Sequence, residues 1–199
     1  MYNPYDHYFN KAKKEWYKAR SAFKLEAIQD KFHIFDKKVH TVIDVWCAPG
    51  SWLQYASAQL EKFSPSGHIL LWFDLKTVKI SLPHMYAYQQ DITDREKVQQ
   101  ILSTHKIEKV DCIISDMAPN TIGVKDIDAI RSFDLLEQWF WMLEELLAPG
   151  GKVVVKLFMG PGFDEYIKRM KDLFGGKNIK IFKPDASRTN SKETYVIKI

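Results

Sequence analysis

Apolar positions follow two alternating rhythms along the chain. Short β-branched and aliphatic runs predict strands at Val42–Trp46, Ile69–Phe73, Met85–Tyr88, Asp111–Ser115, Lys152–Leu157, Ile179–Phe182 and Thr194–Ile199. Between them, apolar residues recur at helical spacing. The stretches WLQYASAQLEKF (52–63), DREKVQQILSTH (94–105) and FDEYIKRMKDLFGG (163–176) each predict a helix. The longest, DAIRSFDLLEQWFWMLEELLAPGG (128–151), puts Ile130, Phe133, Leu136, Trp139, Phe140, Leu143 and Leu147 at helical spacing, with Pro-Gly-Gly as its stop. That stripe reads as a core face, not a cofactor box. Strands alternating with helices imply an α/β fold, a mostly parallel sheet with helices on both faces. Only KPDASRTNSKE (183–193) separates the last two strands, so that pair is expected to be antiparallel, giving seven strands with one reversed near the edge.

Composition narrows this picture without redirecting it. The 199 residues, 46% hydrophobic and 27% charged, suffice for one sizeable core. No apolar run approaches the roughly 18 residues of a membrane span, and MYNPYDHYFNKAKKEWYKAR lacks the apolar centre of a secretory signal. A cytoplasmic location, or an organelle matrix for a eukaryotic source, is therefore expected. Cys47 and Cys112 have no metal-type spacing and read as reduced core residues; no metal is expected.

Charge is uneven. Residues 1–40 hold nine Lys/Arg and five Asp/Glu, so the whole net charge of +4 lies in that segment. Tyr2, Tyr5, Tyr8, Phe9, Trp16, Tyr17 and Phe23 are interleaved with those cations. Cations meet phosphates and rings stack on bases, so 1–40 reads as an RNA-facing extension with the first helix, ahead of a catalytic domain at 41–199. A solvated amphipathic helix accounts for the same charges.

In such sheets, ligands bind beyond the carboxyl ends of the strands. The first of these ends runs DVWCAPGSW (44–52), where Gly50 allows close backbone approach and the following helix offers free N–H groups. Asp74 ends the second strand, placed to bond the two hydroxyls of a ribose; Asp91 follows the third, placed to accept from an exocyclic amine. Each alone could be a helix cap, but three successive tips favour a nucleoside ligand. The G-x-G-x-x-G of dinucleotide enzymes is absent, and the single Pro-Gly turn looks instead like S-adenosylmethionine binding. Asp116 and Lys156 follow apolar runs of the fourth and fifth strands. A lysine there is either a snorkelling edge residue or part of a pair with the neighbouring acid.

The motifs YKARSAFKLEAIQDKF, DVWCAPGSW, SDMAPN, LAPGGKVVVKLFMGPGFDEY and KPDASRTNSKETY resemble the FtsJ/RrmJ-type (RlmE) RNA 2′-O-ribose methyltransferases, from about Tyr17 to Tyr195. The resemblance implies a Rossmann-like class I methyltransferase fold. It implies a catalytic Lys-Asp-Lys-Glu tetrad at Lys24, Asp116, Lys156 and Glu193. S-adenosylmethionine contacts fall on Gly50, Trp52, Asp74, Asp91 and Asp116, with S-adenosylhomocysteine as product. The implied partner is RNA, a uridine of large-subunit (23S-type) rRNA or of the assembled subunit, with no membrane and no obligate protein partner. Transfer RNA, an mRNA cap and a degenerate fold that only binds RNA are the alternatives.

The tetrad has a chemical reason. Methyl transfer from a sulfonium is an in-line displacement, so the protein mainly aligns and deprotonates the nucleophile. Lys156 is the expected base or steering group, Lys24 the second cation, and Asp116 and Glu193 the groups that orient the amines. Trp46 and Ser51 stand where the family has glycines. Ser51 is expected to cap the helix, and the retained acids lead us to expect a Trp46 ring turned away from the cofactor.

Overall fold

In the computed structural model, residues 7–46, 49–65, 67–77, 80–188 and 190–199 are described. Tyr2, Tyr5 and Cys47 lie outside them. Seven strands form where the β-branched runs stand: β1 Thr41–Val45, β2 Ile69–Asp74, β3 Met85–Gln89, β4 Val110–Ser115, β5 Leu147–Phe158, β6 Ile179–Phe182 and β7 Glu193–Lys198. The helices are α1 His7–Lys14, α2 Ala22–Phe32, α3 Ser51–Phe63, α4 Arg95–Thr104, α5 Lys125–Glu137, α6 Trp141–Glu145 and α7 Phe163–Phe174. The sheet order is β3-β2-β1-β4-β5-β7-β6. β7 runs antiparallel to both β5 and β6, and the other pairings are parallel.

Alternation along the strands divides the core in two. Ile43, Val45, Leu71, Phe73, Ile113 and Val155 face one layer, with apolar residues of α4, α6 and α7. Val42, Leu70, Trp72, Cys112, Ile114 and Val154 face the other, with Leu25 and Ile28 of α2 and Leu53, Ala56 and Leu60 of α3. Both faces are thus covered, as a parallel sheet requires. β1 is flanked by β2 on one side and β4 on the other. Strand order reverses there, which opens a crevice at the carboxyl ends of β1 and β4.

Two expectations change. The long helix at 128–151 is two helices. α5 ends at Glu137, turns interrupt at 138–140, and β5 has already begun at Leu147. Ile130 is exposed, whereas Trp139, Phe140, Met142 and Leu143 are all buried. A segment that must bury neighbouring residues on several sides gains by breaking its axis. Pro-Gly-Gly is not a helix stop. Val110 pairs with Leu147 and Cys112 with Lys152, so 148–151 bulge out of β5, with Gly150 at φ +78°. At Gly151 a Cβ would come within 2.9 Å of the Ala148 carbonyl and the Leu147 side chain.

The basic leader is also more deeply built in than its charge suggests. Leu25, Ile28, Ile34, Phe35 and Val39 belong to the second core layer. Tyr8 and Tyr17 pack on buried Phe23 with Ala12 and Ala186. Lys11 sits over the Phe23 ring and bonds Glu26 at 3.1 Å. These rings and this lysine serve packing. Trp16 remains 86% exposed.

Candidate active site

Four elements bring the tetrad together. Lys24 comes from α2, Asp116 follows β4, Lys156 lies late in β5 and Glu193 opens β7. The β5–β7 register sets Phe158 opposite Glu193 and Lys156 opposite Tyr195. Lys24 Nζ lies 2.8 Å from Glu193 Oε1 and 4.0 Å from Asp116 Oδ1, and Lys156 Nζ lies 3.0 Å from that same Oδ1. Lys156 Nζ also donates to the Asp116 carbonyl at 2.5 Å. Lys24, Lys156 and Glu193 are only 9%, 7% and 8% exposed. Lys156 is therefore a paired lysine, not a snorkelling one.

Tyr195 is a member that sequence reasoning missed. Its hydroxyl donates to Asp116 Oδ1 at 2.6 Å. Its ring stacks on Trp52, whose Nε1 donates to the Ser21 carbonyl at 2.8 Å. Ser51 does not cap α3, whose N-cap is Gly50; its hydroxyl lies 2.7 Å from that of Ser21. Trp52 and Ser51 together fasten α3 to the start of α2 and so position Lys24. The visible signal for Tyr195 was its place two residues after Glu193 in a strand, which puts both side chains on one face.

Burial pushes the Asp116 carboxyl up, but Lys156, Lys24 and the hydrogen bonds from Tyr195 and Lys156 outweigh it and hold it below the ordinary carboxylate value. Asp116 is thus ionised between its two lysines. Burial, with the negative charges of Asp116 and Glu193, pushes the Tyr195 hydroxyl well up, so it stays a donor. Beside the tetrad opens a cavity of about 290 Å³, whose walls include Arg20, Ser21, Lys24, Lys156, Arg188 and Glu193. It has room for a sugar, with two lysine ammonium groups and two guanidinium groups on its walls.

The strand ends expected to meet a cofactor are assembled around the switch point. Gly50, buried at φ +99°, starts α3, and the chain turns there as only glycine does easily. Asp74 is buried at the end of β2, with Oδ1 accepting from the Lys76 N–H at 2.8 Å. Asp91 is exposed, and its Oδ1 accepts from both the N–H and the hydroxyl of Thr93. Among the described residues, no group of His, Cys, Asp and Glu is placed to hold a metal.

Asp44, the acid of the DVWCAPG motif, is a further residue at the first strand end, to which the sequence assigned no role of its own. It is 0% exposed and neither carboxylate oxygen has a hydrogen-bond partner. Burial first, then Asp116 and Asp74, push its carboxyl well up. An orphaned acid beside the Gly50 turn suits a cationic ligand group such as an amino-acid ammonium. Because its folded pKa is raised, Asp44 favours folding most below its unfolded value and loses that contribution as pH rises. Asp44→Asn should accordingly raise stability at neutral pH. Melting curves across pH should show the gain shrinking toward acid, while S-adenosylmethionine affinity falls.

Trp46 is half-buried and packs against the core layer that holds Phe73; its backbone N–H donates to the Phe73 carbonyl at 2.8 Å, and it is among the residues lining a small space with Asp74 and Asp91. The backbone is left-handed there, φ +62°, the turn that a glycine makes freely and a bulky residue makes at about 1–2 kcal/mol. Asp74 and Asp91 stand on either side of this small space.

The FtsJ-like methyltransferase family matches residues 17–199. A Syntrophobacter fumaroxidans protein named ribosomal RNA large subunit methyltransferase E is 42% identical over 197 residues, covering 98% of this chain and 95% of its own. A protein of the same name from Desulforapulum autotrophicum is 44% identical over 193 residues, covering 96% and 90%. Among solved structures, a Plasmodium falciparum chain described as a ribosomal RNA methyltransferase superposes with a TM-score of 0.76 at 24% identity, covering 92% of this chain and 97% of that one. Human methyltransferase-like protein 13 in complex with SAH gives 0.61 at 10% identity, covering 89% and 81%. At these identities the two structures bear on the fold alone.

Proposed function

This chain belongs to the FtsJ-like methyltransferase family, and from that premise we propose that it carries out S-adenosylmethionine-dependent 2′-O-methylation of a ribose in large-subunit rRNA. The observation that carries the reading is the joined tetrad on the wall of a sugar-sized cavity next to the switch point. Bound S-adenosylmethionine supplies a methyl group on a sulfonium, an electrophile with its leaving group already in place. The chain supplies alignment and proton handling. Lys156, after its ammonium has given up a proton to solvent, orients the ribose 2′-oxygen and takes the 2′-hydroxyl proton as the methyl group passes from sulfur to oxygen. Asp116 stays ionised and balances the ammonium that results. Glu193 holds Lys24, and Tyr195 fixes the Asp116 carboxylate.

Transfer RNA and capped mRNA use the same ribose chemistry, but the relatives that match over nearly the whole chain are named for large-subunit rRNA. No helix among the described residues is long and apolar enough to cross a membrane. We infer a cytoplasmic or organelle-matrix enzyme acting where ribosomal subunits are assembled. Incubation with labelled S-adenosylmethionine and undermethylated large subunits, free rRNA and tRNA, followed by 2′-O-methyl mapping, tests the assignment. Label in a single rRNA ribose is expected; transfer to tRNA alone would overturn it.

The leader supplies a separate prediction. Lys13, Lys14 and Lys18 are exposed beside Trp16, whereas Lys11 is engaged by Glu15, Glu26 and Phe23. Reversing the charge of Lys13, Lys14 and Lys18 should leave thermal unfolding unchanged and weaken RNA binding. The slope of log affinity against log salt should flatten by about 0.7–0.9 for each phosphate that is no longer neutralised. Trp16→Ala should cost roughly 1–3 kcal/mol of RNA affinity without changing that slope, because stacking releases no counterions. An unchanged slope in the charge-reversed variant would make the leader a solvated face.

A further inference from the structure

Phe158 stands two residues beyond Lys156 on β5, and strand alternation puts the two side chains on the same face. Leu157 between them is buried in a core layer. Phe158 is only half-buried, and among the described residues it packs in none of the three core clusters. It borders the cavity beside the tetrad and also a second cavity of about 220 Å³, and Ser191 is common to both. The second cavity therefore adjoins the sugar-sized one. Its volume lies just below the roughly 300–1,000 Å³ of sites for drug-sized ligands and suits a smaller group.

Three segments build the second cavity. Thr121 and Lys125 come from the turn before α5 and its first residue, Phe158 from the end of β5, and Asn190, Ser191 and Lys192 from the stretch before β7. Asp128 also borders it, but its two oxygens accept from the N–H groups of Ile122 at 2.8 Å and Gly123 at 3.1 Å. That acid is engaged in holding the turn. The Phe158 N–H donates to the Ser132 hydroxyl at 3.4 Å, and the Met159 N–H donates to the Lys192 carbonyl at 2.9 Å. These bonds tie the end of β5 to both flanking segments. Lys192 reaches Asp126 at 3.6 Å across an exposed edge, a contact worth little in water. The walls thus combine an aromatic residue outside the core, hydroxyl and amide groups, and two ammonium groups. A splayed nucleotide presents the matching features: a flat base, hydrogen-bonding base edges and phosphates.

We propose that this second cavity receives one nucleobase of the substrate RNA, at or next to the ribose being methylated, with Phe158 as its stacking platform. Thr121, Asn190 and Ser191 meet the base edge, and Lys125 and Lys192 lie toward the phosphates. The platform rests on the ribose-methylation reading above and adds to it how the RNA is held in register. A base drawn out of its own stack needs a replacement surface, and an aromatic side chain supplies one for any base. Fixing the base beside Lys156 also fixes where the 2′-oxygen lies, which is the alignment that in-line transfer requires.

The test pairs Phe158 variants with abasic RNA. The probe is a synthetic RNA spanning the ribose mapped in the assay above, unmodified or abasic at that nucleotide or at either neighbour. Phe158→Ala and Phe158→Leu are expected to weaken affinity for the unmodified RNA by about 5- to 150-fold, and Phe158→Trp to keep it. Leucine preserves apolar bulk without a flat ring, so it reads stacking even if the alanine variant folds poorly. S-adenosylmethionine affinity and melting temperature are expected to stay near native. One abasic position is expected to weaken native binding by a similar factor and to cost Phe158→Ala nothing further, and that position shows whether the base is the target's own or a neighbour's. If the short RNA binds no chain, KM on undermethylated large subunits decides, raised in Phe158→Ala and Phe158→Leu and near native in Phe158→Trp. Native affinity or KM in the alanine and leucine variants, or equal further losses with every abasic RNA, would overturn the platform while native methylation leaves the ribose reading standing. A native chain that methylates neither this RNA nor large subunits would overturn both.

Discussion

Lys156→Ala should lower single-turnover methyl transfer by about 10²–10⁴-fold, the range that a positioned proton acceptor contributes, while S-adenosylmethionine binds as before. Lys156 reaches the sugar-sized cavity and bonds both the carboxylate and the carbonyl of Asp116, but lies apart from Asp74 and Asp91 at the nucleoside tips. Its loss removes the group that meets the 2′-oxygen and leaves the cofactor acids in place. Stability should suffer little, because Asp116 keeps Tyr195 and Lys24 as partners. Lys156→Arg should not rescue transfer, since a guanidinium does not give up its proton at working pH. Rate and cofactor affinity measured on the same preparation decide the matter, and near-native transfer by Lys156→Ala would remove Lys156 from the chemistry.

Asp116→Ala should strike folding and catalysis together. Asp116 is the one carboxylate, among the described residues, that touches Lys24, Lys156 and Tyr195. Without it, Lys156 keeps only a backbone carbonyl, and a largely buried ammonium loses its countercharge. Breaking a buried pair from one side costs about 3–5 kcal/mol, and the partial exposure of this side chain places it near 3. For a chain of this size that corresponds to a fall in melting temperature of roughly 6–12 °C. Replacing Lys156 by Met as well should recover part of the loss, because the unpaired charge disappears with it. The loss should also shrink as pH falls. A carboxylate held below its ordinary value contributes stability above its unfolded pKa and loses it as pH drops through the folded one. A melting temperature unchanged by Asp116→Ala at neutral pH would show that the lysines do not depend on this acid.

Both predictions use residues that stand out in the amino-acid sequence alone. The acids at the ends of β2 and β4 and the lysine late in β5 are conspicuous because a charge at the end of an apolar strand is costly without a purpose. The surrounding groups were hidden for a different reason. Tyr195 reads as one more apolar strand residue until the antiparallel register sets it opposite Lys156. Asp44 reads as part of a loop motif until burial leaves its oxygens without partners. The aromatics of the leader suggest stacking on bases, but Tyr8, Tyr17 and Phe23 are needed to seat α1 and α2.

Local pattern determined the seven strands, the reversal of β7, both-face coverage and the candidate acids, because side-chain periods of two and about 3.6 are properties of the chain's own geometry. Only tertiary structure decided where the long apolar segment breaks, how Lys24 reaches Glu193 from the far end of the chain, and that Trp46 takes a left-handed backbone turn at the end of β1. These outcomes depend on which neighbours compete for the same space and charge. Residues distant in sequence set that competition, and periodicity carries no record of them.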